Sequence, residues 1–278
     1  MTNDIKNKDL YFKDVFSMGF KIYSANIKTI VALAILVYIP ISLLDVIVIE
    51  PNMQSLLMLF ESHAGANNAG SIIDVLMNFD NLPIEIMGSI TRLVYTIMAA
   101  LVISETLFMP LLSSGSAHLV QGSANDKEYS TDDTVSNTLS NILKTFVTAL
   151  LSFSFIVLGL SLFIIPGLYL YVVLAFAIPA VIVSGKWGFG ALSESFLVVR
   201  GQWFKVFALI LITSFIAPMV VQIAALIITV PIYILIPNEI IINAIAGIVS
   251  NIMLTYLIMV ECLWFVNKYF LKIKNKYS

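Results

Sequence analysis

Cysteine is all but absent: Cys262 is the only one in 278 residues, which excludes an internal disulfide and a thiolate metal cluster and leaves the redox compartment unread. Charge is scarce too. Only 12% of the chain is charged, about half the usual share of roughly 25% in a soluble domain. The net charge of −2 supplies no coherent basic surface, so nucleic acid is not an expected partner. Also missing are a His-Glu-x-x-His pair, a glycine-rich phosphate loop and paired cysteines at metal spacing. No catalytic, cofactor-binding or metal-binding residue is therefore assigned, and no cofactor is expected. His63 and His118 fall in intervals on opposite sides of the topology derived below, so they share no metal.

Apolar residues are what the chain has in abundance, at 59% with a mean hydropathy of +0.97. A hydrocarbon core about 30 Å thick takes roughly 20 apolar residues in helical form. Uncharged or nearly uncharged runs of that order cover residues 29–49, 87–112, 146–165, 168–183, 206–238 and 240–266. Pro166-Gly167 is read as the tight turn dividing the third from the fourth, and the fifth, with Pro218 near its middle and Pro231 and Pro237 towards its end, as one crossing that is kinked or that ends in a buried irregular segment. The fold class expected is all-α, a polytopic helical membrane protein with about six transmembrane helices, forming one integral membrane domain over residues 1–278.

Lysine and arginine orient it, because cytoplasmic flanks carry them in excess. Lys6, Lys8, Lys13, Lys21 and Lys28 precede the first run; Lys127 and Lys144 lie between the second and third; Lys186, Arg200 and Lys205 lie between the fourth and fifth; Lys268, Lys272, Lys274 and Lys276 follow the sixth. The intervals after the first, third and fifth runs hold none, although the first of them holds Glu50, Glu61, Asp74, Asp80 and Glu85. Both termini are therefore expected in the cytoplasm. About 28 polar and amphipathic residues precede the first run, unlike a cleavable signal peptide, and no lipidation motif is present.

Three cytoplasmic-side amphipathic helices lead into the odd-numbered runs. Phe12, Val15, Phe16, Gly19, Ile22 and Tyr23 share one helical face; Val135, Leu139, Ile142, Leu143 and Phe146 share another, after Ser130 and Asp133 at capping-box spacing; Phe189, Leu192, Phe196, Val199 and Trp203 share a third. A three-unit arrangement over 1–120, 121–185 and 186–278 would follow from internal duplication. Interfacial helices that simply precede membrane spans explain the pattern equally well.

The segment Ile165-Pro166-Gly167-Leu168-Tyr169-Leu170, then Phe176-Ala177-Ile178-Pro179-Ala180, Gly190-Ala191-Leu192-Ser193-Glu194-Ser195 and Leu197-Val198-Val199-Arg200-Gly201-Gln202-Trp203, resembles a bacterial membrane family. Its type is the membrane domain attached to some glycerophosphodiester phosphodiesterases, with YciC-like multi-pass proteins beside it, and residues 16–40 resemble its opening. The resemblance implies a bacterial inner-membrane protein in envelope or lipid metabolism. Two departures stand out: the soluble phosphodiesterase barrel has no counterpart, and Ser184-Gly185 occupies a position where the family often carries an acid, so no site is transferred there.

Charges inside apolar runs are costly and mark pathways or buried pairs. Four candidate intramembrane polar residues qualify: Asp45, Arg92, Glu105 and Glu261. Asp45 and Arg92 fall at similar depth on adjacent crossings, where they would either pair or extend separately to the interface. Glu105 and Glu261 lie deeper with no lysine near, so each needs a hydroxyl, an amide or water. The run Ser113-Ser114-Gly115-Ser116-Ala117-His118 invites comparison with intramembrane serine proteases, but nucleophile and base sit on one short segment; a helix end rich in small residues is the plainer reading. Small residues at Gly159 and Ser161, and at Ala244, Gly247 and Asn251, suit helix packing. Two functions remain, a non-catalytic scaffold or accessory protein whose partners are the lipid bilayer and other membrane proteins, and a transporter-like or lipid-handling protein working through its intramembrane carboxylates.

Overall fold

The computed structural model describes residues 2–66, 83–235 and 239–277, and no strand occurs among the described residues. The acidic interval around Asp74 and Asp80 and the end of the fifth run at Pro237 lie outside them. In chain order the helices are α1 (Thr2–Asn7), α2 (Phe12–Ala25), α3 (Ile27–Leu44), α4 (Glu50–Ala66), α5 (Ile84–Ile103), α6 (Met109–Ala124), α7 (Thr131–Ser140), α8 (Ile142–Leu162), α9 (Ile164–Leu174), α10 (Ala177–Ser184), α11 (Phe189–Val199), α12 (Trp203–Leu211), α13 (Ala217–Leu235) and α14 (Glu239–Tyr277).

Among the described residues six stretches are long and apolar enough to cross a membrane: Ile27–Ser62, Ile84–Ala124, Ile142–Leu162, Ile164–Ser184, Trp203–Ile234 and Ser250–Lys274. The chain is an all-α, multi-pass helical protein. Helices α2, α7 and α11 each stand directly before an odd-numbered stretch, but the second stripe is divided, with Val135 and Leu139 on α7 and Ile142, Leu143 and Phe146 on α8, and α7 buries Thr134 and Thr138 instead. Helix α7 starts as its spacing predicts, with the Ser130 hydroxyl accepting the Asp133 N–H at 3.1 Å and the Asp133 carboxylate accepting the Ser130 N–H.

The first two stretches, at 36 and 41 residues, overrun the expected crossings because each passes a proline without ending. The device is a π-turn. Asp45–Ile49, Ser104–Phe108 and Ile212–Ile216 are π-helical, and each ends two residues before a proline: Pro51, Pro110 and Pro218. A proline lacks an N–H and its ring crowds the carbonyl four residues back, which in all three cases belongs to the middle of the π-turn. Widening that one turn accommodates the carbonyl and lets the helix continue.

The third and fourth stretches part at Phe163 (φ −162°, ψ 156°), not at Pro166-Gly167 as expected. Proline is tolerated in the first turn of a helix, where its missing N–H has no partner to lose, and Pro166 sits there in α9. Gly167 serves close approach instead. A Cβ on it would lie 2.7 Å from the Leu160 backbone nitrogen, and one on Gly159 would lie 3.0 Å from the Gly167 Cα, so α8 and α9 touch backbone to backbone. Gly247, by contrast, faces open space, with nothing within 4 Å of a Cβ placed there.

Helices α9 and α10 are separated by a break at Ala175-Phe176, just before Pro179. The Phe176 N–H donates to Ser195 Oγ at 3.2 Å, and the Ser195 hydroxyl donates to the Val173 carbonyl at 2.7 Å. One fully buried serine of α11 thus satisfies both backbone groups that the break exposes, as a non-aqueous surrounding requires. Phe176 itself is buried and stacks on Trp264 at 5.3 Å between centroids.

The chain folds as two compact units, one made of Met1–Val37 with Met109–Ser278 and the other of Tyr38–Phe108. The core of the first is built from α2, α6, α9, α10, α11, α12 and α14, with Trp264, Phe176 and Phe265 its largest enclosed side chains. Leu56, Phe60, Ile86 and Leu93 form the smaller core of the second.

Candidate functional site

Glu261 is on α14 of the first unit and meets a hydroxyl. The partner is Thr213, whose side chain hydrogen-bonds the Glu261 Oε1 atom as well as the Leu209 carbonyl at 3.0 Å. Thr213 belongs to the π-turn ahead of Pro218, so the turn that absorbs the proline also directs a polar side chain at α14. Beside it, Cys262 is 1% exposed and its thiol approaches the Ser113 carbonyl at 3.5 Å.

The other three candidates belong to the second unit. Asp45 and Glu105 each stand in a π-turn, and both are exposed on the surface of the chain, as is Arg92. Among the described residues Asp45 and Arg92 form no ion pair with each other; the guanidinium side chain instead lines a cleft of about 600 Å³ with Leu44, Val48, Tyr95 and Ile103. Next to Glu105 the Thr106 hydroxyl donates back to the Val102 carbonyl at 2.6 Å. The structure therefore gives Glu261 a polar partner and leaves Asp45, Arg92 and Glu105 on the surface of their unit.

Two polar constellations of the first unit escaped the sequence. One ties the termini together. Asn267, fully buried, accepts the Leu10 N–H at 3.3 Å and donates to the Ile5 and Lys8 carbonyls at 2.7 and 2.8 Å. Lys268 pairs with the Asp9 carboxylate and lies 5.4 Å from the centre of the Trp264 ring. Side-chain amides that bond backbone carry no sequence signature, and these partners are more than 250 residues apart.

The second is a cleft of about 230 Å³ lined by His118, Gln121, Tyr129, Asn137, Asn141 and Lys144, with Val181 and Ile182 as its apolar wall. His118 is 7% exposed, stacks on Tyr129 at 4.0 Å, and its Nδ1 atom has no hydrogen-bond partner among the described residues. Lys144, in the first turn of α8, donates to Asn141 Oδ1 at 3.1 Å. Asp133 lies close enough to act on His118, but its own carboxyl is held below the usual range chiefly by the Ser130 hydroxyl. Ser114 Oγ is also buried and has no partner among the described residues. Although Ser114 and His118 are four residues apart on one face, no hydrogen bond joins them, so the nucleophile and base of a serine hydrolase are not assembled. Among the described residues, no three His, Cys, Asp or Glu side chains gather where a metal would sit. No family model, no curated protein and no solved structure matches the chain.

Proposed function

We propose that this is a bacterial inner-membrane protein with both termini in the cytoplasm, acting as a non-catalytic scaffold or accessory protein in envelope or lipid metabolism. The observation that carries the reading is the bond between Glu261 and Thr213. It spends the most enclosed of the candidate carboxylates on joining α14 to the π-turn before α13, which is the use a packing residue has. The clustering of lysine and arginine supports the orientation, and the resemblance of residues 165–203 to the phosphodiesterase membrane domain supports the metabolic setting.

A lipid-handling role is the second reading, favoured by the buried His118, its Nδ1 unbonded, in its polar cleft. Transport through Glu261 is separable from scaffolding by one substitution. Glu261→Gln keeps the size and the hydrogen bond but cannot bind a cation or cycle a proton. Expected for a scaffold is that membrane abundance, detergent melting and complementation of an envelope-stress phenotype in a deletion strain all stay near wild type, or fall together. Complementation lost at full abundance and unchanged melting would transfer the assignment to transport.

A further inference from the structure

The lining of the His118 cleft is unusual for a helical bundle in that its polar groups are mostly donors or can donate. Lys144 contributes a fixed positive charge, oriented by Asn141. Asn141 is the residue at which α7 ends and α8 begins, and Lys144 stands in the first turn of α8. His118, more than nine-tenths buried, brings an imidazole nitrogen that none of the described residues satisfies. A buried polar atom of this kind costs free energy unless something else bonds it. Gln121, Tyr129 and Asn137 add side chains able to donate. Asp133, whose carboxylate acts on His118, is exposed and bonded by Ser130 outside the lining, so within the lining itself the charged side chain is Lys144. Val181 and Ile182 close one wall with apolar surface, leaving space of about 230 Å³, enough for a tetrahedral oxyanion with a short ester substituent.

From this geometry we infer that the cleft among α6, α7, α8 and α10 binds a phosphate group, carried either by the headgroup of a membrane phospholipid or by free phosphate in the adjoining aqueous phase. Lys144 supplies the charge and His118 a directed hydrogen bond. This inference stands apart from the scaffold reading, since a scaffold and a lipid-handling protein would both use such a site.

The test uses the full chain with its two histidines, His63 and His118, labelled for imidazole nitrogen resonances, His63→Asn serving to assign them. Inorganic phosphate is titrated into protein held in a maltoside detergent, and in parallel into nanodiscs of phosphatidylcholine with or without phosphatidylglycerol. The expected result is a saturable shift of the His118 resonances by phosphate in detergent, with affinity about tenfold weaker in Lys144→Gln. Lys144 is exposed, so that variant keeps its fold, which an unchanged melting curve without phosphate checks. If phosphatidylglycerol already shifts His118 and blocks the phosphate response, the lipid is the source; if phosphate acts equally in both nanodiscs, free phosphate is. His118 resonances that ignore phosphate and phosphatidylglycerol alike, or equal affinities in wild type and Lys144→Gln, would overturn the proposal.

Discussion

Asn267 shows how much one side chain can carry when it bonds only backbone. Its amide oxygen takes the Leu10 N–H and its amide nitrogen serves two carbonyls of the amino-terminal segment. Replacing it by alanine leaves all three backbone groups without that partner in a buried place, and each such group costs about 1–3 kcal/mol when it stays unsatisfied. Part of the segment will detach and recover water, so the expected net loss for Asn267→Ala is roughly 2–4 kcal/mol. Unfolding in mixed micelles measures the loss. Hydrogen exchange should show the amides of residues 5–10 opening before those of α2. Unchanged protection there would mean that Lys268 and its Asp9 partner hold the segment by themselves.

At the level of elements, prolines meet the helices in several ways, Pro40 and Pro231 lying within α3 and α13. Pro51, Pro110 and Pro218 induce π-turns, Pro166 sits harmlessly in a first turn, and Pro179 breaks the helix and recruits Ser195. The apolar runs are readable from the sequence because composition reports them directly, whereas the period is a poorer guide to burial: α7 buries Thr134 and Thr138 and leaves Leu139 exposed. Which of these outcomes a proline takes is not readable, because it depends on whether a neighbouring helix can offer a hydroxyl to the freed backbone groups. The same limit applies to the site. Glu261 is visible as a charge in an apolar run, whereas Thr213, one of many hydroxyls, becomes its partner only through packing; His118 looks like part of a small-residue helix end until α7, α8 and α10 surround it. Ser195 offers the test. In the native background Ser195→Ala strands the Phe176 N–H and the Val173 carbonyl, at an expected cost of about 1–3 kcal/mol. In a Pro179→Ala background α9 and α10 are free to join, the ladder closes over the break, and the same substitution should cost clearly less. A double-mutant cycle in mixed micelles reads the coupling, expected at about 1 kcal/mol or more. Equal costs in both backgrounds would show that Pro179 is not what makes Ser195 necessary.

For the molecule as a whole, contacts between the terminal segments bear on the parity of the crossings. Asn7 accepts from Lys274 at 3.0 Å, Asp9 pairs with Lys268, and Asn267 bonds residues 5–10. If segments that touch in this way lie on one side of a bilayer, the chain between them crosses an even number of times, a condition that six apolar stretches among the described residues would satisfy. Lys272 adds to the same end by donating to the carbonyls of Val198 and Arg200 at 3.1 and 3.3 Å. The contacts alone leave open which side this is, and the proposal that it is the cytoplasm rests on the lysine bias, since basic flanks resist translocation. Single cysteines in a Cys262→Ser background test the assignment. Cys262 is buried beside Ser113, and serine preserves a small polar group there. Positions 67 and 238, which lie outside the described residues, fall in the intervals without lysine or arginine, whereas Asn125 follows α6 and is exposed. In intact cells an impermeant maleimide should label Asn67→Cys and Asn238→Cys and spare Asn125→Cys, which should react only after the membrane is permeabilised. Labelling of Asn125→Cys in intact cells with protection of Asn67→Cys would invert the orientation while leaving the even count of crossings intact. Labelling of all three in intact cells would contradict the shared side of the basic segments and with it the six-crossing arrangement.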